Sequence, residues 1–172
     1  MAATTTWYEE NGSATGSPAH GTPTVVTTCD WKSADSATTT RTAAPVAAGS
    51  NSYNKYNYVK FSGAFNEISG VKFAHTAGTL GSGISLKGKV TSTYTKPATS
   101  AMSGSTDITG TTPITSGMTV LLSTVGPQGA NPTTAITAEG YTQYIVTQVQ
   151  TTISAAAGDS AIATLTVQYN EN

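Results

Sequence analysis

Charge is the scarcest property of this sequence. Only 10% of its 172 residues are Asp, Glu, Lys or Arg, whereas about a quarter of an average globular domain is charged. The formal net charge is −1 and the sequence pI is about 6.0. Such a balance provides no long-range attraction to nucleic acid or to a membrane surface. We therefore expect neither as a partner.

Cysteine, histidine and long apolar runs are also scarce. Cys29 is the one cysteine, which excludes an intrachain disulfide, and His20 and His75 are too far apart in sequence to form a zinc-binding pattern with it. The N-terminal MAATTTWYEENG has neither the basic nor the apolar region of a signal peptide, and no apolar run reaches the length of a membrane span. These features predict synthesis in a reducing cytoplasm without Sec export, and no metal or cofactor.

Signatures of catalysis are missing as well. The chain has no G-x-S-x-G nucleophile elbow, and the glycine-rich residues 78–88 lack the order of a phosphate-binding loop. Glu9 and Glu10 are adjacent, so on a strand they face opposite sides and cannot act as a carboxylate pair. His75 alternates with apolar residues in VKFAHT, which is typical of a structural histidine. We therefore predict no catalytic residue and no enzyme.

Threonine is what the chain has in abundance, at about a fifth of all residues. Its β-branched side chain suits the half-wet surface of a sheet. About seven or eight apolar–polar alternating segments, separated by Gly/Pro-rich turns, predict an all-β protein with an antiparallel β-sandwich or jelly-roll-like domain. The last two segments, residues 141–153 and 160–172, are expected to pair as a hairpin with an outward Thr/Gln face.

The alternation is strongest after residue 52. Residues 53–172 are predicted to form the sandwich, and within it residues 53–68 and 70–76 are expected to be neighbouring strands. Residues 1–52 are predicted to hold a strand near Trp7, a turn-rich loop, a second strand over 24–31 and a long extended arm.

Aromatic residues are the best candidates for an interaction surface, because an aromatic ring is apolar and a tyrosine hydroxyl can be satisfied by a partner. Trp7 and Tyr8 lie near a terminus and could close over their own core or insert into a neighbouring subunit. The interface candidates are Trp7, Tyr8, Trp31, Tyr53, Tyr56 and Tyr58.

Three stretches carry a resemblance: NYVKFSGAFNEISGVKFAHTAG, LKGKVTSTYTKP and the C-terminal GYTQYIVTQVQTTISAAAGDSAIATLTVQYNEN. Their pattern resembles a group of small virion structural proteins of tailed bacteriophages. The resemblance implies a non-enzymatic capsid decoration (cement) protein, with the major capsid protein, other virion subunits and copies of itself as partners. It supplies no motif from which site residues could be transferred.

Two alternatives stay open. A tail-tube, neck or adaptor component belongs to the same class of virion protein. A carbohydrate-binding or adhesin module is the alternative from a different class, with Trp7, Trp31 or the tyrosine-rich segment, residues 53–61, as a sugar platform.

Overall fold

The computed structural model describes residues 2–156 and 162–172. The strands in this part of the chain are β1 Thr4–Thr15, β2 His20–Val25, β3 Lys55–Ser62, β4 Ile68–Ala77, β5 Ile84–Thr91, β6 Thr106–Asp107, β7 Met118–Thr119, β8 Leu122–Ser123, β9 Ala135–Ile136, β10 Gly140–Thr142, β11 Tyr144–Thr151 and β12 Thr164–Glu171. A short 3-10 helix, Ile114–Ser116, precedes β7. The expectation of an all-β protein is confirmed.

The strands form two antiparallel sheets. Sheet A has the order β2-β1-β3-β11-β5-β6, with β10 beside β3 and β8 beside β10. Sheet B has the order β12-β4-β7, with β9 also beside β4. The arrangement is that of a β-sandwich, as predicted, while the jelly-roll topology stays a prediction.

The main core lies between the two sheets. Val59 and Phe61 of β3 and Ile145 of β11 pack against Val71 and Phe73 of β4. Side chains on a strand alternate between its two faces, so these odd-numbered residues of β3 and β11 define the inner face of sheet A. This face is hydrophobic because burying apolar area is the dominant stabilising term of the fold.

The outer face of sheet A is buried too. Tyr56 and Tyr58 of β3 and Tyr144 and Val146 of β11 form a second cluster, over which Tyr94 and Met102 of the following loops are packed. Strand β11 is consequently buried on both faces, and even its polar Thr147 and Gln148 are inaccessible to solvent. Sheet A is therefore the middle layer of the molecule.

The predicted C-terminal hairpin is wrong. Strand β11 pairs with β3 and β5 in sheet A, whereas β12 pairs with β4 in sheet B. The alternation of β12 is as predicted, since Leu165, Val167 and Tyr169 pack toward the core and Gln168 is exposed. The outward Thr/Gln face expected for β11 is wrong, because central strands in a covered sheet are buried on both sides.

Other boundaries differ from expectation as well. Strands β3 and β4 are consecutive in the chain but belong to different sheets, so they are not neighbours. The turn-rich loop is a hairpin in which β1 pairs with β2, and the second strand ends at Val25 rather than continuing to residue 31. The apolar run from residue 118 divides into β7 of sheet B and β8 of sheet A.

Residues 2–52 are joined to the sandwich by main-chain pairing. Strand β1 lies between β2 and β3 over the whole stretch from Tyr8 to Glu10. The arm that follows β2 returns to the sheet, where Tyr53 N–H donates to the Lys32 carbonyl and Ser52 N–H donates to the Val149 carbonyl. The division of the chain between residues 52 and 53 stays a prediction.

Candidate functional site

The tyrosine-rich segment forms a compact aromatic cluster on the outer face of sheet A. The rings of Tyr8 and Tyr58 are stacked with centroids 5.1 Å apart, while Tyr56 contacts Tyr94 and Tyr144 edge-on at 4.9 and 5.5 Å. The cause is the register of β1 and β3, which places Tyr8 directly opposite Tyr58. Such pairs stabilise a sheet beyond the area they bury.

Burial divides the predicted interface tyrosines into two groups. Tyr56 is 1% and Tyr58 is 5% exposed, so both support the cluster from within. Tyr8 and Tyr53 are half-buried and keep accessible surface. The Tyr8 and Tyr58 rings lie nearly parallel to each other, so one face of each ring is covered by the other.

The two tryptophans lie on the opposite, inner side of sheet A. Trp7 is half-buried and packs against the main core. Trp31, in the arm, donates its Nε1 hydrogen to Thr147 Oγ1 at 3.0 Å. Both tryptophan side chains therefore pack against their own chain. An interface role for their remaining exposed surface stays a prediction.

A buried carboxylate lies beneath the aromatic cluster. Glu10 is 3% exposed, and its Oε2 accepts hydrogen bonds from the Gly21 N–H and the Tyr144 hydroxyl, both at 2.8 Å. Burial raises the pKa of Glu10, while the bonds from Tyr144 and Gly21 and the charge of His20 act in the opposite direction. This side chain joins β1, β2 and β11 at one point.

A second group of polar side chains lies on the inner face of sheet A. This part of the face is covered by the arm that follows β2 and not by sheet B. Lys55 Nζ donates to Glu9 Oε1 at 2.8 Å, and the two side chains are 0% and 2% exposed. Asn11 Nδ2 donates to the same Glu9 oxygen at 3.0 Å and to Asp35 Oδ1 at 2.9 Å. Lys32 is also buried, and its ammonium donates to the Thr39 carbonyl.

This polar group was not among the predicted site residues. The spacing of Glu9 and Asn11 does indicate one shared strand face, because residues two apart on a strand point the same way. Lys55 could not be added from sequence, since the pairing of β1 with β3 links positions 46 residues apart. A lysine that is fully buried is rare unless it is paired, which makes this group the most unusual feature of the chain.

A cavity of about 200 Å³ opens between the two sheets beside the arm. Trp7, Phe73 and Leu165 supply its apolar wall, and Cys29 and Thr147 lie on its polar side. The Cys29 thiol donates to Asn57 Oδ1 at 3.4 Å, and burial raises its pKa to about 12. The thiol is therefore a structural group in this environment, because thiolate is the reactive form.

His75 is fully buried in the structure, whereas the sequence predicted a partly buried structural histidine. Its Nδ1 lies 3.0 Å from the Ile108 carbonyl oxygen, and its Nε2 has no hydrogen-bond partner among the described residues. Across residues 2–156 and 162–172, no three His, Cys, Asp or Glu side chains are grouped closely enough to hold a metal ion. In the same part of the chain, no helix has the length and apolarity needed to cross a membrane.

The outer edge of sheet B is formed by β12, which pairs with β4 on its other side. On the same side of the sandwich, β1 pairs with β2 only from Tyr8 onward, so residues 4–6 have β3 as their one neighbouring strand within the described residues. The Ala3 N–H donates to Glu171 Oε1 at 2.8 Å and links the two edges. Main-chain donors and acceptors at such edges can pair with another chain.

Comparison of this chain with known protein families, with curated protein sequences and with solved structures gives no match in any of the three. The contacts described above are therefore the basis for assigning a function.

Proposed function

We propose that this protein is a non-enzymatic structural component of a tailed-phage virion that decorates the capsid shell. The major capsid protein and further copies of the chain are its proposed partners. The observation that carries the proposal is the edge of sheet B, where β12 offers eight residues of main chain for pairing with a neighbouring subunit. The capsid itself is inferred from the resemblance of the sequence to phage virion proteins.

Strand β12 lacks two of the residues that usually protect an edge, although its pairing with β4 has register shifts between Thr164 and Leu165 and between Gln168 and Asn170. Proline and lysine commonly block edge-to-edge pairing, and the sequence of β12, TLTVQYNE, contains neither. The edge strand β2 of sheet A carries Pro23, and β5 carries Lys87 and Lys89 near its short partner β6. Of these strands, β12 is the one best suited to accept a partner strand.

The inward face of β12 is incompletely covered. Leu165, Val167 and Tyr169 contact the main core but remain half-buried. A strand added beside β12 would widen sheet B and cover more of this apolar surface. Strand addition of this kind obtains affinity from main-chain hydrogen bonds and selectivity from alternating side-chain contacts.

A low charge content suits such a role, because removing a charge from water at an interface is costly. Repetition on a lattice adds avidity, since each bound copy meets several neighbours at once. Weak edge contacts can therefore give stable decoration.

The first test is the copy number of the protein in purified particles. A number matching the capsid subunits supports decoration. A much lower number, in multiples of a ring symmetry, would contradict it in favour of a tail, neck or adaptor position. Retention of the isolated chain on glycan resin, without particle binding, would contradict it in favour of a carbohydrate-binding module.

The second test places a lysine on the edge itself. Gln168 is exposed on the outward face of β12, so Gln168→Lys adds a charge at the edge and leaves the core intact. Thr22→Lys is the matched control, because Thr22 is an exposed residue of β2 beside Pro23. We expect binding to shells that lack the protein to fall for Gln168→Lys alone. Equal binding by both variants would contradict the role of β12.

A further inference from the structure

Lys55, Glu9 and Asn11 bring an amine, a carboxyl group and a carboxamide together at a place where Lys55 and Glu9 are inaccessible to solvent and Asn11 is half-buried. We propose that Lys55 and Asn11 form an intramolecular isopeptide bond, with Glu9 carrying the proton between them. This modification would link β1 covalently to β3. The proposal does not depend on the virion role of the protein.

The strand register places the reacting groups together. Glu9 pairs with Asn57 and Glu10 with Tyr56, so Lys55 is the next position of β3 and faces the Asn11 position of β1. Glu9 and Asn11 share the inner face of β1, because they are two residues apart. Residues directly opposite on adjacent antiparallel strands have Cβ atoms only about 5 Å apart.

The contacts of Glu9 are those the reaction requires. Its Oε1 accepts from Lys55 Nζ at 2.8 Å and from Asn11 Nδ2 at 3.0 Å. One oxygen atom therefore touches both the nucleophile and the leaving group. A general base must be within hydrogen-bond reach of the proton that it removes, and this carboxylate meets that condition for both proton transfers.

Burial favours the step. Charged forms are costly in a dry environment, so transfer of a proton from the Lys55 ammonium to Glu9 yields a neutral amine and a neutral acid. The Asn11 Oδ1 atom, on which negative charge develops when Cγ is attacked, is buried and has no hydrogen-bond partner among the described residues. The buried ammonium of Lys32 provides positive charge close by, and burial and the charge of Lys55 lower its pKa.

The atoms balance without any further reagent. Lys55 Nζ, once neutral, attacks Asn11 Cγ and forms the new C–N bond. Glu9 returns its proton to Asn11 Nδ2, the Cγ–Nδ2 bond breaks, and ammonia leaves with the remaining proton of the amine as ammonium. No oxidation or reduction occurs, and Glu9 ends as the carboxylate with which it began.

Asn11 precedes Gly12, and an Asn-Gly sequence can also lose ammonia by closing a succinimide through the Gly12 nitrogen. In the folded chain this nitrogen donates to Asp35 Oδ2 at 3.0 Å, which turns its hydrogen away from the Asn11 side chain. The two reactions give the same loss of mass, so the experiment has to separate them.

The test is intact-mass spectrometry of the full chain, followed by trypsin digestion. We expect the folded protein to be lighter than its sequence by one ammonia, and residues 1–32 to be joined to residues 42–60 with cleavage at Lys55 blocked. Chain that is kept in denaturant from synthesis should have full mass and lose ammonia on refolding. Full mass in the folded protein, or an equal loss in denaturant, would overturn the proposal.

Three variants assign the roles. Lys55→Arg removes the nucleophile and Glu9→Gln removes the proton carrier, so both should retain full mass, while Lys60→Arg on the same strand should lose ammonia like the parent. Loss of ammonia by Lys55→Arg would identify the succinimide instead. A loss of one water with the link on Asp35 would overturn the assignment to Asn11. The parent protein by itself shows whether the joined peptides form. The proposal can therefore be tested even if a variant fails to fold.

Discussion

The hydrogen bond between Tyr144 and Glu10 allows the most specific prediction about the stability of the fold. Tyr144 is fully buried, and its hydroxyl donates to Glu10 Oε2 at 2.8 Å, with a longer contact of 3.3 Å to Gln128 Oε1. Replacement by Phe removes one oxygen atom and leaves the ring contacts with Tyr56 and Tyr58 in place. Tyr144→Phe therefore isolates one hydrogen bond to a buried carboxylate.

The expected loss follows from that bond. A hydrogen bond to a charged group contributes about 1.5–3 kcal/mol, and its loss leaves the buried acceptor less satisfied. For a chain of this length each kcal/mol lowers the melting temperature by about 2–4 °C. We therefore expect Tyr144→Phe to melt several degrees below the parent at neutral pH.

The loss should depend on pH in a defined direction. Burial raises the folded-state pKa of Glu10 above its value in the unfolded chain, so the folded protein holds this proton more tightly than the unfolded chain. The contribution of Glu10 to stability is then greatest below its unfolded pKa and declines as the pH rises through its folded pKa. The Tyr144 bond opposes that rise in pKa, so its removal should increase the decline, and the deficit of the variant should grow from acidic to neutral pH.

Thermal unfolding followed by circular dichroism at about pH 4 and about pH 7 measures both quantities. Tyr141→Phe is the matched control, because Tyr141 is half-buried in the same cluster and contacts Tyr58 through its ring. Glu10→Gln keeps an acceptor for both donors and should flatten the pH dependence. A deficit of Tyr144→Phe that is equal at the two pH values, or smaller at neutral pH, would refute the reasoning.

Three further predictions concern packing, the thiol and the surface. Phe61 is fully buried in the main core, so Phe61→Ala should lower the free energy of unfolding by about 3–5 kcal/mol in urea titration. Val125 is 77% exposed, so Val125→Ala should change the free energy of unfolding by less than about 0.5 kcal/mol. Burial raises the pKa of Cys29 to about 12, so iodoacetamide should label it slowly in the folded protein and rapidly in denaturant; equal rates would contradict this. The ion pair of Lys87 with Asp107 lies at the surface, with side chains 24% and 56% exposed, so Lys87→Met should cost no more than about 1 kcal/mol by the same titration.

The fold class and the faces of isolated strands could be predicted from sequence because they depend on local alternation. Strand β12 illustrates this, since Leu165 and Val167 face the core as their spacing indicates. Pairing partners could not be predicted, because β11 and β12 both alternate and nothing local distinguishes an edge strand from a central one. The distinction depends on what covers the second face, and Met102 and Tyr94 come from distant loops.

The candidate site was predictable only in part for the same reason. The tyrosine-rich segment was recognised as a cluster, but the burial of Tyr56 depends on Tyr94, which lies in the loop beyond the end of β5. The polar group on the inner face requires knowledge of the β1–β3 register and of the arm. Sequence places Glu9 and Asn11 on one face, and the structure adds Lys55 and Asp35.

The location of that polar group follows from the unequal width of the two sheets. Sheet A has six strands in its main order and sheet B has three, so sheet B leaves part of the inner face uncovered. The arm that covers the remainder is rich in Thr, Ser and Ala over residues 33–44 and offers little apolar area. A sheet face covered by such a segment is stabilised by hydrogen bonds rather than by hydrophobic contact. Lys55 donates one such bond to the Ser36 carbonyl, and Asp35 accepts another from the Gly12 N–H.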